Sequence, residues 1–362
     1  MTNQTTWKAT LAIGGFILAL SLVEVSVRII TPQSPLAQSN EVLNRGRFTS
    51  PGIHHNHQPE FSTKIEVNSQ GFVDYEWNYE TPNEVLFIGD SFVQGAQVPM
   101  NQSVGRILHE SLSGGVTSMG VPGAGTTTEL LLLEHWLPIL EPKMVILGLL
   151  ASNDVLNNHP ELESKSDKPF INLKTWRDSQ TISIEMNEPS ISGQTLLGTS
   201  HLFRWYIRQT QTKQILQHKI RVGNGIPIDW HVYSPTPDDT WNEAWLITTA
   251  LFKQIKELCE DRNVQFKVVL IPSIEEISPH YQRKIVTQYP SIKTWLFTQT
   301  LEHKSLQMLT AAGINSSNIL SLYPTFLSHN NSTGLYFTQD HHWTELGHGL
   351  ASQTIKDWLT TP

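Results

Sequence analysis

Apolar runs and polar breaks alternate along this chain in a regular way. Val85, Leu86, Phe87 and Ile88 follow one another without a polar residue and stop at Gly89-Asp90-Ser91. Such a run reads as a short strand buried on both faces, and its stop as a turn or helix cap. Residues 103–112 then carry Val104, Ile107, Leu108 and Leu112 at helical spacing. A brief strand over 116–119 empties into the glycine-rich turn Gly120-Val121-Pro122-Gly123-Ala124-Gly125. Thr126 to Thr128 can cap the helix expected over 129–136. A second buried strand over 144–150 ends at Ala151-Ser152-Asn153-Asp154. Further on, the pattern predicts helices over 241–262 and 291–312, strands over 265–271 and 319–322, and a last helix to Leu359. This alternation predicts an α/β fold with a doubly wound sheet. In such sheets the ligand crevice lies at the carboxyl ends of the strands, where the small and polar residues gather here.

The remaining stretches weaken or break the pattern. Residues 9–23 are uncharged and nearly all apolar; Glu24 and Arg28 follow, among Val25, Val27, Ile29 and Ile30. The uncharged part is short for a membrane span of ~20 residues, but extended to Ile30, with Arg28 reaching to the interface, it is long enough. A cleavable signal peptide is the rival reading. Only a poor small-residue site, near Leu36-Ala37-Gln38, supports that rival, so residues 1–31 are expected to form an uncleaved anchor. Lys8 precedes the span while Arg28, Arg45 and Arg47 follow it, so positive charge does not fix the orientation. Residues 32–82 read as a linker and irregular lead-in, with a turn at Asn68-Ser69-Gln70-Gly71-Phe72. The main domain is expected over 83–362. Within it, 155–240 reads as an insertion over the top of the sheet, containing a helix near 201–217.

Composition narrows the function classes. The 362 residues fit one large domain or one domain with insertions. A formal net charge of −8 leaves no basic footprint for nucleic acid. The single cysteine, Cys259, excludes an intrachain disulfide and reads as a small buried apolar residue. His54, His55 and His57 lie close together but have no carboxylate or cysteine at a recognised metal spacing. No metal or organic cofactor is expected.

The candidate chemistry lies at the strand ends and near the carboxyl terminus. A serine hydroxyl becomes a useful nucleophile only when a base takes its proton. A histidine base needs a carboxylate to hold its tautomer, and the developing oxyanion needs preorganised donors. Ser91, Gly123, Asn153, Asp340 and His342 offer all of these, in this order. Singly, each has a plain structural reading: Asp90 or Ser91 and Asn153 as helix caps, Gly123 as a turn residue, His342 as a polar surface residue. All five together, at these places, are far more specific.

In these blocks the chain resembles the SGNH (GDSL-type) hydrolase superfamily. The matching stretches are Gly89-Asp90-Ser91-Phe92, Gly120-Val121-Pro122-Gly123, Ala151-Ser152-Asn153-Asp154 and Asp340-His341-His342, spread over residues 84–359. The resemblance implies a flavodoxin-like three-layer sandwich around a parallel sheet, and acyl hydrolysis or transfer through a serine ester. It implies Ser91 as nucleophile, His342 as base and Asp340 as its orienter. The oxyanion hole would be the N–H groups of Ser91 and Gly123 with the Asn153 amide. Two departures stand out: Ala151 replaces the usual glycine of the third block, and Asp340 and His342 are two apart, with Trp343 following. That spacing is similar to the membrane-anchored branch that includes alginate O-acetyltransferases. His341 is the competing base, and His348 is expected on the helix beyond the site.

The expected function is a serine esterase acting on an acyl ester, with small acyl groups on a glycan or another envelope molecule as substrate. The resemblance to envelope enzymes places its catalytic domain outside the cytoplasm. An O-acyltransferase that delivers the same acyl group to a sugar hydroxyl is the first alternative, and a non-catalytic glycan-binding protein on the same fold is the second. No feature specific for a long acyl chain stands out, and oligomeric state is left open.

Overall fold

The computed structural model describes residues 2–31, 51–163, 168–186, 200–207, 210, 217, 220, 223–295 and 300–361. It opens with helix α1, Thr2–Ile30. An antiparallel hairpin follows, β1 (Gly52–Gln58) with β2 (Phe61–Val67). The alternating core then runs β3 (Val85–Gly89), α2 (Ser91–Gln94), α3 (Val104–Ser111), β4 (Val116–Gly120), α4 (Thr126–Leu140), β5 (Met144–Leu149) and α5 (Ala151–Asn157). A small hairpin of β6 (Pro169–Ile171) and β7 (Ile184–Met186) flanks α6 (Leu173–Ser179). After it come α7 (Asp239–Glu260), β8 (Gln265–Leu270), α8 (Pro279–Gln288), α9 (Thr300–Ala311), β9 (Ile319–Ser321) and α10 (Glu345–Thr360).

Five strands form one parallel sheet in the order β4-β3-β5-β8-β9. Numbered by appearance within that sheet, the order is 2-1-3-4-5, the flavodoxin-like winding. The first crossover runs one way and the later ones run the other. Right-handed connections therefore put α3 on one face and α4 and α7 on the opposite face. The packing agrees, since α10 closes against α3, while α4 and α9 pack on α7. Winding reverses between β3 and β5, and that is where such sheets open a crevice. Val85 to Ile88 are buried, as a strand covered on both faces requires. Cys259 is fully buried within the core on α7.

Several elements differ from the sequence expectation. The stretch read as irregular lead-in contains the β1–β2 hairpin. Its signal is weak because β1, Gly-Ile-His-His-Asn-His-Gln, is nearly all polar and mostly exposed. Only β2 alternates, with Thr63, Ile65 and Val67 buried. His54, His55 and His57 sit on β1, and no cluster of three or more potential metal ligands occurs among the described residues. Helix α4 begins at Thr126 with Gly125 as its N-cap and makes no side-chain cap there, so the threonines do not cap it. It also runs through Pro138 to Leu140. Residues 201–207 are helical, but much of the helix expected to 217 lies outside the described residues. The helix expected from 291 starts at Thr300, with Pro290–Ile292 a single 3-10 turn and 296–299 outside the described residues. The stretch around Leu36-Ala37-Gln38, Arg45 and Arg47 is likewise outside them.

Among the described residues one helix is long and apolar enough to cross a bilayer, over Thr6–Ile30, with none of its most apolar window buried. Glu24 pairs with Arg28 at 2.6 Å and also accepts from the Ser200 hydroxyl and the His201 and Leu202 amides.

Candidate active site

Strand β3 delivers Ser91 to the switch point. Asp90 caps the short helix α2, its carboxylate accepting from Phe92 N at 2.9 Å, and Ser91 is the first helical residue. Helix α2 lies directly on the end of β4. A Cβ placed on Gly120 would stand 2.0 Å from Gln94 N and 2.4 Å from Gln94 Cα. The glycine is thus what lets the serine-bearing turn seat so closely.

The carboxyl-terminal block comes to Ser91 from the other end of the chain. Phe337 N donates to His342 O, His341 N to Phe337 O and Thr344 N to Leu335 O, so residues 335–344 close into a tight loop. Tyr336 and Trp343 add an antiparallel bridge. Trp343 is buried and packs on Phe92, Phe326 and His348, with ring centroids 5.0, 5.3 and 5.5 Å away. Phe92 and Trp343 each follow a site residue, so their edge contact ties the two halves of the site together. His348 lies on α10 behind this contact. Its Nδ1 accepts from Val104 N at 3.2 Å, and burial pushes its pKa down to about 3, so it stays neutral.

These elements bring three side chains into line. His342 Nε2 stands 2.7 Å from Ser91 Oγ, and His342 Nδ1 stands 2.6 Å from Asp340 Oδ1. Asp340 and His342 remain about a quarter exposed, within reach of a substrate. His341 turns away. It has a φ of 71°, left-handed and uncommon for a side chain of this size. Its Nδ1 meets the Tyr281 hydroxyl at 3.3 Å, and the two rings stack edge to face. Burial, with Lys284 and His342 nearby, pushes the His341 pKa down.

Gly123, in the turn after β4, also has a positive φ, 67°, and Asn153 projects from the start of α5. Both line the same cleft as Ser91. The Asn153 amide reaches toward Asp90 Oδ2 at 3.5 Å. Sequence reasoning missed what lies behind it. Glu129 and Asp154 are fully buried. Both Glu129 oxygens and Asp154 Oδ1 are without a hydrogen-bond partner among the described residues. Asp154 Oδ2 accepts from Leu150 N at 2.8 Å. Burial, and then the neighbouring carboxyl charges, push both acids well above the usual carboxylate range, while burial also raises Asp90. The sequence gives little signal for this, since α4 carries Glu129 and Glu134 on either side of its four leucines and only the fold shows which is buried.

The cleft over Ser91 is large, about 950 Å³. Asn56 and Gln97 are among its lining residues. The lining also includes Asp229, Trp230 and Tyr233 from the 3-10 turn Ile228–Tyr233, with Tyr281, Lys284, Gln288 and Tyr289 from α8 and just beyond it. Trp230 and Tyr289 form an edge-to-face pair with centroids 5.0 Å apart. Chemically, the aligned serine, imidazole and carboxylate can move a proton from a hydroxyl, and the cleft can take a substrate much wider than an acyl group.

No family model matches the sequence, and no curated protein matches it. Solved structures do. An acetyl xylan esterase is 11% identical over 75% of this chain and 96% of its own, with a TM-score of 0.38. A lipase/acylhydrolase from Enterococcus faecalis is 11% identical over 76% and 93%, with a TM-score of 0.35. An extracellular lipase from Streptomyces rimosus is 11% identical over 76% and 99%, also with a TM-score of 0.35. Likeness at this level carries no argument about activity, which has to come from the chain's own residues.

Proposed function

We propose that the chain is an ester hydrolase that works through an acyl-enzyme on Ser91. The observation that carries this reading is the hydrogen-bonded line Ser91 Oγ, His342, Asp340, at 2.7 and 2.6 Å. The Nδ1–H of His342 faces Asp340, which leaves Nε2 free to accept the serine proton. Ser91 Oγ then attacks the ester carbonyl carbon. The carbonyl oxygen gathers negative charge beside the Ser91 and Gly123 amides and the Asn153 side chain, our candidates for the oxyanion hole. Collapse breaks the bond to the alcohol oxygen, which takes the proton from His342. Water repeats the sequence on the acyl-serine, releases the acid and restores Ser91.

The cleft lining supports a reading of the substrate. Its walls mix aromatic and aliphatic faces (Trp230, Tyr289, Ile274, Ile285) with hydrogen-bonding groups (Asn56, Asp229, Gln288). We read the substrate as a small acyl group on a sugar or another polar envelope molecule, because aromatic faces and hydrogen-bonding groups share these walls. We also read α1 as a membrane anchor, with the hydrolase part outside the cytoplasm. The supporting features are its length, its apolarity and its exposed surface.

Incubation with an aryl acetate and a fluorophosphonate probe tests the chemistry. Labelling is expected at Ser91 alone. Ser91→Ala should lose it, and His342→Ala should lower its rate ~10²–10⁴-fold. His341→Ala should leave most of it. Equal labelling of the Ser91→Ala variant, or a larger loss from His341→Ala than from His342→Ala, would refute the assignment. Adding a polysaccharide acceptor and weighing both products by mass spectrometry tells hydrolysis from transfer.

A further inference from the structure

The turn of the β1–β2 hairpin reaches the loop that carries Asp340. Glu60 Oε1 accepts from Thr338 N and Thr338 Oγ1, each at 2.8 Å. Its Oε2 accepts from Gln339 N at 2.7 Å and Asp340 N at 2.9 Å. One carboxylate thus satisfies three consecutive backbone amides and a hydroxyl, from a position 278 residues away in the chain. The neighbouring Phe61 packs its ring on Phe337, with centroids 5.1 Å apart. The hairpin itself is moored near the nucleophile, because Asn56 Nδ2 and Thr63 Oγ1 both donate to Ala96 O, at 3.0 and 2.8 Å.

We infer that Glu60 is a positioning residue for the Asp340–His342 pair. Three converging N–H groups form an anion-binding concavity. Without Glu60, those amides are open to the Asp340 carboxylate, which is carried on the same loop. An aspartate side chain can bond its own or a neighbouring backbone N–H, and one of these amides is Asp340's own. Captured in this way, Asp340 would leave His342 Nδ1 without its acceptor. Glu60 occupies the amides and leaves the Asp340 carboxylate to the imidazole. Burial by itself raises the Glu60 pKa, but the four hydrogen bonds more than offset it, so the clamp stays charged below the ordinary glutamate range. Glu60 is outside the lining of the substrate cleft, so it acts through Asp340.

The inference rests on the proposed chemistry of Ser91, His342 and Asp340, and a double-mutant cycle on the full chain tests it. Glu60→Ala should slow fluorophosphonate labelling ~10–100-fold, the scale of a displaced reacting group, with KM for an aryl acetate little changed. Glu60→Gln should rescue only partly, because in either orientation its amide nitrogen would face at least one N–H donor, that of Thr338 or those of Gln339 and Asp340. In an Asp340→Ala background, Glu60→Ala should cost nothing further. Equal losses in both backgrounds, or wild-type labelling by Glu60→Ala with its melting temperature held, would overturn it. The Nδ1–H resonance of His342, followed by NMR in histidine-labelled protein, gives a readout that needs no turnover. It should move upfield or vanish in Glu60→Ala, and an unmoved resonance also overturns the inference. If the wild type fails to label while Glu60→Ala still shifts that resonance, the hydrolase reading falls and the Glu60 role stands.

Discussion

At the scale of single residues, the geometry near Ser91 depends on backbone and burial details. Between Asp340 and His342, which face each other, His341 takes a left-handed φ and carries its own ring to Tyr281. That conformation costs a non-glycine residue ~1–2 kcal/mol, which the loop bonds around Phe337 and His342 must offset. Glu129 is a second residue-scale cost. Its folded-state pKa is raised above the ordinary 4.5, so in the folded chain it holds its proton to higher pH than in the unfolded chain. Between those two values the native state binds more protons, and stability falls as pH rises. Glu129→Gln keeps the shape and removes the ionisation. Its melting temperature should therefore gain on the wild type as pH is raised from about 5 to 9, and the gap should close at acidic pH. Parallel melting curves across that range would show that Glu129 does not titrate as its burial requires.

At the scale of elements, what matters is how closely α2 rides on the sheet. Gly120→Ala puts a methyl group within 2.0 Å of the Gln94 backbone, where no flexible side chain can yield. Helix α2 must then lift, at a cost of ~1–3 kcal/mol or more, and Ser91 moves with it. Both a lower melting temperature and slower fluorophosphonate labelling are expected. Gly349→Ala on α10 is the control, because an added Cβ there meets nothing within 4 Å. It should be neutral or slightly stabilising, since alanine favours a helix over glycine. A Gly120→Ala variant that melts and labels like Gly349→Ala would show that α2 does not need this close approach. The β1–β2 hairpin belongs to the same scale, as it joins the Ala96 region to the Asp340 loop.

At the scale of the whole molecule, an apolar helix precedes a sheet whose switch point opens into a wide cleft. Helix α1 offers an 18-residue-or-longer apolar stretch within Thr6–Ile30, and that stretch is unburied. Exposed to water, it would leave a continuous apolar surface that soluble monomers avoid. We expect the chain to fractionate with membranes, to be released by detergent but not by salt or alkali, and to be open to protease from outside the cytoplasm. A free chain beginning near Gln38 would show a cleaved signal instead.

The sequence by itself determined the alternation of strands and helices and the residues at the strand ends. Those features are local: a run such as Val85 to Ile88 encodes its own burial, and glycine or a small polar residue encodes its own turn. It also ordered the candidate site, through the spacing of Ser91, Gly123, Asn153, Asp340 and His342 read beside a family resemblance. Tertiary structure alone decided the rest. His342 meets Ser91 across 251 positions of chain, an approach set by the sheet order, the loop bonds around Phe337 and the packing of Trp343 on Phe92. The spacing of Asp340, His342 and Trp343 already set His342 apart from His341, but the left-handed backbone that carries the His341 ring to Tyr281 is announced by no side-chain pattern. The polar hairpin carries Glu60 without a hydrophobic alternation to betray it, because β1 is held by hydrogen bonds and pairing with β2 rather than by burial. Periodicity reports what a residue hides from water, and the contacts that hold Asp340 in place are polar, long-range and half exposed.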